Sequence, residues 1–254
     1  MIFDSHAHYD DEQFDKDREA LLMELNENGV MGILNMSSSY ESINKTINLT
    51  KKYPFIYGAI GIHPSDALDY NDDVKNEIIS LLKKDKIVAI GEVGLDYYWE
   101  DNPSKEVQRK VLEDQYDIAR KASVPIILHD REAHGDIMEI YRKNSDVISV
   151  FHSYSGSPEM AKEIISLGGY IGVSGVVTFK NAKKLPDVVK ETPLNRILIE
   201  TDAPYMSPVP NRGKRNRSDF LYSVADKIAE IKGVSSKEVL LKTQENVKRI
   251  LKID

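Results

Sequence analysis

The sequence predicts an α/β fold, a single (β/α)8 TIM barrel spanning residues 1–254. Three observations predict it. The chain has 254 residues, a length that α/β barrels routinely use as one domain. Eight short apolar runs recur along it, with the composition of parallel strands covered by helices. Between them lie longer segments with apolar residues at three- and four-residue steps, the spacing of amphipathic helices. A doubly wound open sheet is the alternative arrangement of the same elements.

In order, the first run is Ile2 to His8, followed by a helical segment from about Asp15 to Asn28. The second, Gly32 to Ser37, precedes a helix at Tyr40 to Lys52, and the third, Ile56 to His63, precedes one at Asp72 to Lys84. The fourth, Ile87 to Leu95, leads to the clearest helix, Pro103 to Lys121. There Val107, Val111, Leu112, Ile118 and Ala119 share one face, and Pro103 suits a first turn. Pro125 to Asp130 and Val147 to Ser153 are followed by helices at Ala133 to Lys143 and Pro158 to Leu167. Tyr170 to Gly175 leads to Lys180 to Lys190, and Arg196 to Asp202 to two closing helices, Ser218 to Ile231 and Lys237 to Leu251. No low-complexity linker or composition break interrupts the series.

Composition narrows the function classes. With 41% hydrophobic and 30% charged residues, the chain reads as globular, and no apolar run approaches the roughly 18 residues of a membrane span. The 34 Lys and Arg against 41 Asp and Glu leave a net charge of −7, which argues against sequence-independent coating of DNA. A local basic patch remains compatible with it. The absence of cysteine removes disulfides, thiolate zinc sites, iron–sulfur clusters and cysteine nucleophiles together. The start, MIFDSHAHYDDEQFD, shows no basic or apolar leader, so the cytoplasm is the expected compartment.

Of the 6 histidines, His6, His8, His63, His129 and His152 fall at predicted C-terminal strand ends. In a barrel that rim carries the chemistry. His6 and His8 are two apart on one strand, so both rings face the same way. Glu92, His129, His152 and Asp202 end other strands, and these are the nitrogen and oxygen donors that a divalent cation takes without thiolates. Individually each histidine is more often an ordinary hydrogen-bonding group. Together, six donors exceed what one tetrahedral ion needs, and a carboxylate such as Glu92 can bridge two, so a binuclear centre is expected. Asp4 and Glu200 share strand parity with His6 and Asp202, which predicts inward carboxylates one layer deeper that orient the donors. A register error of one residue would turn both outward.

The runs FDSHAH, GIHP, AIGEVGLDYY, ARKASVPIILHDREA preceded by Gln115, FHSYSG and ILIETDAPYMSPVPNRGKRNR resemble the TatD family of metal-dependent deoxyribonucleases among the amidohydrolase-like barrels. The resemblance covers the whole chain, with motifs in family order and spacing. It implies His6 and His8 on a first metal, Glu92 bridging, His129 and His152 on a second, and Asp202 on the first. The family often has cysteine where Ser153 stands and another histidine after GIHP, where this chain has Ser65. His63 is a candidate for substrate binding or proton transfer, with a plain core role equally open.

The expected chemistry is attack on a phosphodiester by water activated between two divalent cations, zinc, manganese, magnesium, cobalt or nickel, with Asp202 as general base and Glu92 holding both ions. Neither a nucleophile elbow nor a phosphate loop occurs. The expected substrate is DNA, as single strands or 3′ ends, with no membrane and no obligate protein partner. Arg212, Lys214, Arg215 and Arg217 lie within six residues of the loop after the eighth strand, and with Arg131 are candidates for phosphate contact. Tyr97, Tyr98 and Trp99 are candidates to stack bases or to cap the barrel. Three alternatives stay open: a binuclear hydrolase of a small amide, lactone or phosphoester; a glycosidase using Glu92 and Asp202; and a non-catalytic protein with a structural metal.

Overall fold

The computed structural model describes residues 1–253. Eight strands alternate with helices: β1 (Ile2–Ala7), α1 (Arg18–Glu27), β2 (Val30–Met36), α2 (Tyr40–Lys52), β3 (Ile56–Ile60), α3 (Asp72–Leu81), β4 (Ile87–Asp96) and α4 (Lys105–Ala122) form the first half. The second half is β5 (Ile126–Arg131), α5 (His134–Lys143), β6 (Ser149–Phe151), α6 (Pro158–Ser166), β7 (Tyr170–Val173), α7 (Leu185–Glu191), β8 (Ile197–Ile199), α8 (Leu221–Lys232) and α9 (Ser236–Leu251). All neighbouring strands pair in parallel in the order β1 to β8. A bridge between Ala7 and Ala203, with Asp202 N donating to His6 O at 2.9 Å, brings the last strand against the first. This is the predicted (β/α)8 barrel, and the open sheet is excluded.

Alternation along the strands sorts side chains into two layers. Phe3, Leu34, Met36, Ala59, Ala89, Ile127, Val150 and Leu198 fill the barrel interior, where Val247, Ile250 and Leu251 of α9 pack on them. Their neighbours Ile2, Ile33, Ile60, Ile90, Leu128, Phe151 and Ile197 pack outward beneath the helices. Among the described residues no helix is long and apolar enough to cross a membrane.

Several elements are shorter than the sequence predicts, for local reasons. The sixth strand stops at Phe151 and the eighth at Ile199, because Ser153 and Asp202 have positive φ, 41° and 57°, which no continuing strand tolerates. The helix expected from Lys180 begins at Leu185, with Pro186 in its first turn, where the missing N–H costs nothing. Helix α1 begins at Arg18, since Glu12–Phe14 forms a separate 3-10 turn capped by Asp11. Strand β4 instead runs one residue further than expected, to Asp96. Gly94 makes this possible: its φ is +147° and an added Cβ would lie 2.0 Å from the His129 carbonyl oxygen, so only glycine lets β4 lie this close to β5.

Candidate metal centre

The backbone of β1 positions the first donors. Ile2 faces the helices and Phe3 the barrel interior, so Asp4 should follow Ile2 outward. A register slip between Asp4 and Ala7 then turns His6 into the barrel mouth. There His6 Nε2 and His8 Nε2 stand 3.2 Å apart. Glu92 Oε2 lies 3.4 Å from each, and Asp202 Oδ1 lies 3.5 Å from His6 and 3.3 Å from His8. The other oxygen of Glu92 faces a second set. Its Oε1 is 2.8 Å from His129 Nδ1 and 2.7 Å from His152 Nε2, and those two nitrogens are 3.3 Å apart.

These donors fit a divalent cation. Ligands about 2.0–2.1 Å from a tetrahedral ion stand about 3.3 Å from one another, which is the spacing across His6, His8, Glu92 and Asp202. Nitrogen lone pairs and carboxylate oxygens converge, and among the described residues no Lys or Arg pairs with Glu92 or Asp202. Three overlapping groups bring their donor atoms within 4.8 Å of one another: His6, His8 and Glu92; His6, His152 and Asp202; His63, Glu92 and His129.

The electrostatics express the same demand for positive charge. Burial pushes the Glu92 carboxyl up, but His152 and His6 outweigh it and hold the group well below the ordinary carboxylate range. Asp202 behaves alike: burial opposes ionisation, the hydrogen bond from His8 and the neighbouring imidazoles prevail, and it settles at about 2. His6 is driven down to about 4, first by burial and then by His152. His129 rises to about 9, since Asp96 and Glu92 overcome its burial. Two buried carboxylates thus stay ionised and require compensating charge.

Surrounding groups hold the donors in place. Asp96 Oδ2 lies 3.1 Å from His129 Nε2, which leaves Nδ1 for the site. Gln108 in turn grips the Asp96 backbone with both amide atoms, at 2.9 and 3.0 Å. Glu200 accepts from Ser153 N and lies 3.7 Å from His152 Nδ1, the inward position that parity predicts. Asp4 departs from its expectation. It does not lie beneath His6; it accepts from Thr201 N at 3.0 Å, Thr201 Oγ1 at 2.6 Å and Ser218 Oγ at 2.7 Å on the outer side of β1. The parity argument assumed an unbroken strand, and the slip after Asp4 invalidates it. Asp4 therefore touches the donor-bearing segments through their backbone, accepting from His6 N at 3.3 Å and from Thr201 N just ahead of Asp202.

His63 reaches the edge of the centre, with Nε2 3.9 Å from Glu92 Oε1 and its ring edge-on to His129. Its Nδ1 accepts from Ser65 N at 3.2 Å and so caps the 3-10 segment Pro64–Asp69. Gln115 holds the adjoining Ile62 by both backbone groups, at 2.9 and 3.1 Å.

The basic candidates separate. Arg131 lies over the rings of Tyr98 at 4.1 Å and Trp99 at 5.2 Å, and with His129, His152 and Asp202 it lines an open cleft of about 650 Å3. Arg212 stacks on Phe179 at 3.7 Å. Arg215 does not stand free to meet a phosphate: both ends of its guanidinium bind Asp17, at 2.9 and 2.6 Å, and one also reaches Gln13 O. Arg217 is paired with Asp219 and Glu24. Two of the four cations of this run, Arg215 and Arg217, are thus paired with acids nearly two hundred positions away, which no local reading anticipates. Tyr97 is also engaged, donating to Asp136 at 2.8 Å.

Sequence reasoning missed Asp96, Gln108 and the bridging part of Gln115. Asp96 had a signal, since it shares strand parity with Glu92, but the predicted run ended one residue short of it.

Residues 3–252 match the family described as TatD related DNase. The chain is 40% identical to the uncharacterized metal-dependent hydrolase YabD of Bacillus subtilis, with 100% of both chains covered. It is 34% identical to the metal-dependent hydrolase YcfH of Escherichia coli, over 100% of this chain and 97% of that one. The crystal structure of YjjV, a TatD homologue from Escherichia coli, superposes with a TM-score of 0.93 at 30% identity, covering 100% of this chain and 98% of its own. The barrel, the donor cluster at its mouth and these matches agree, and the chain belongs to the TatD related DNase family of metal-dependent hydrolases.

Proposed function

We propose that this protein is a cytoplasmic deoxyribonuclease that uses two divalent cations to hydrolyse phosphodiester bonds at single strands or 3′ ends. One observation carries the reading: Glu92 presents one oxygen to His6 and His8 and the other to His129 and His152, beside an open cleft. Two divalent cations held by these donors would supply Lewis acidity and a water acidic enough to attack near neutral pH. Four imidazoles favour zinc, manganese, cobalt or nickel, while the carboxylates also accept magnesium.

The protein's own groups do the rest. Asp202 lines the cleft, with Oδ1 3.5 Å from His6 Nε2 and 3.3 Å from His8 Nε2, and its carboxylate takes the proton of the attacking water and returns it to the leaving 3′-oxygen. Glu92 and the four histidines hold the reacting centre. His63, at the rim, orients the substrate, and Arg131 contacts phosphate. Asp96, Glu200 and Asp4 fix the ligand-bearing groups.

The test is release of nucleotides from 3′-labelled single-stranded DNA by protein stripped with a chelator and reloaded with each metal. His6→Ala and Glu92→Gln should each lower kcat/KM by at least about a hundredfold, as loss of a unit of a metal centre does. Equal activity in the variants overturns the proposal. Hydrolysis of small amides, lactones or phosphoesters without DNA cleavage selects the alternative binuclear hydrolase.

A further inference from the structure

The sequence places its densest basic run in the loop after the eighth strand, yet the structure commits Arg215 and Arg217 of that run to Asp17, Glu24 and Asp219. Arg212 and Lys214 of the run have no carboxylate partner among the described residues, Arg212 resting on Phe179 and Lys214 donating to Asn211, and three further cations without one line the cleft itself. Arg131, Lys183 and Lys184 all line the cleft beside His129, His152 and Asp202. Of the cleft's acids other than Asp202, Asp130 is already paired with His134 at 2.7 Å. In a chain of net charge −7, this is where a polyanion meets uncompensated positive charge.

Arg131 is also pre-set. Its guanidinium rests on Tyr98 and Trp99, a cation–π contact that fixes the side chain while leaving its N–H fork open to an anion. Tyr98 and Trp99 are 52% and 57% exposed, so their remaining faces are available to a base. A cleft of about 650 Å3 has the volume of a site for one drug-sized ligand. That accommodates the terminal nucleotides of one strand.

We infer that Arg131, held on Tyr98 and Trp99, and Lys183 with Lys184 form the nucleic-acid subsite, gripping backbone phosphates of a single strand next to the scissile bond, while Arg215 and Arg217 take no part. This deepens the nuclease reading and rests on it for the identity of the ligand. Trp99 is the only tryptophan in the chain, so its fluorescence reports occupancy of this subsite directly.

The experiment titrates metal-loaded protein with phosphorothioate oligothymidylates of two, four and eight nucleotides, which bind without being cleaved, and follows Trp99 emission at several salt concentrations. Wild type should be quenched, with the tetramer binding more tightly than the dimer. Arg131→Ala and the double change Lys183→Ala with Lys184→Ala should each weaken binding about tenfold. They should lower the slope of log K against log salt by about 0.7 and about 1.4, the loss of one and two single-strand phosphate contacts. Arg131→Lys should recover part of the affinity, and Arg215→Ala should bind as wild type does. Unchanged binding in both lining variants overturns the subsite, as does a loss confined to Arg215→Ala. Inorganic phosphate displacing the octamer as well as the dimer does too, since it reduces the site to a single anion pocket. Quenching that follows these rules in a wild type that cleaves no DNA supports the subsite and overturns the nuclease reading, which keeps the two failures apart.

Discussion

Replacing Asp96 by asparagine isolates how the protein aims one ligand. Asp96 Oδ2 is 3.1 Å from His129 Nε2, and Oδ1 accepts from Tyr98 N at 3.0 Å. Asparagine keeps the shape but offers one acceptor and one donor. If its oxygen serves Tyr98 N, the NH2 faces Nε2 and drives the ring proton onto Nδ1, the nitrogen that faces Glu92 and His152. If the amide flips, two donors meet at Tyr98 N. The first orientation removes the support of the tautomer that presents a free Nδ1; the second keeps an acceptor on Nε2 but sets a donor against Tyr98 N, so either way one hydrogen bond that aims His129 is given up. Removal of such a carboxylate–histidine contact weakens metal binding about 10–100-fold, equivalent to about 1.4–2.7 kcal/mol. The Gln108 contacts to the Asp96 backbone are untouched, so thermal stability of the metal-free protein should shift by no more than a few degrees. The assay is competition for metal against a chromophoric chelator, with kcat/KM measured at low and saturating metal. Activity should fall at low metal and recover at high metal. Affinity within a factor of two of wild type, with His129 still ligating, would refute the reasoning.

Four further outcomes are expected. Stripping the metal should lower Tm by about 5–10 °C, since an ion at a hundredfold excess over its Kd stabilises by about 2.7 kcal/mol; scanning fluorimetry with and without chelator checks it, and equal Tm values count against a metal centre. Gly94→Ala should destabilise by about 3–5 kcal/mol, because its φ is +147° and the new methyl meets the His129 carbonyl at 2.0 Å; urea unfolding midpoints give the answer. Arg215→Ala removes a partly exposed pair with Asp17 and should cost under about 1 kcal/mol, measured the same way. His134 pairs with Asp130 at 2.7 Å and is held above its ordinary 6.5, chiefly by that hydrogen bond. A raised pKa in the fold means stability that is fully present below pH 6.5 and is lost as pH rises through the folded value. Imidazole NMR titration should place His134 above 6.5 and return it there in Asp130→Asn.

How far the sequence could be read depended on how local the controlling physics was. Strand and helix order followed from hydrophobic period alone, because burial on one or two faces dictates spacing within each element. The donor types were legible for a similar reason: with no cysteine in the chain, only imidazole and carboxylate remain, and strand ends carry the rim of a barrel. Strand limits were less legible, since positive φ at Ser153 and Asp202 depends on the loops those residues enter.

What the sequence by itself determined is therefore the barrel, the order of its elements and the set of residues around its mouth. Tertiary structure decided which atoms face one another. A register slip in β1 sent Asp4 outward and His6 inward. One residue more of β4 put Asp96 against His129. Acids on α1 and at its start paired Arg215 and Arg217 of the most conspicuous basic loop, while Arg131, Lys183 and Lys184 are the cations that line the cleft. The reason is common to all three: electrostatic pairing and strand register act over a few ångströms in space between residues far apart in the chain, and periodicity carries no record of them.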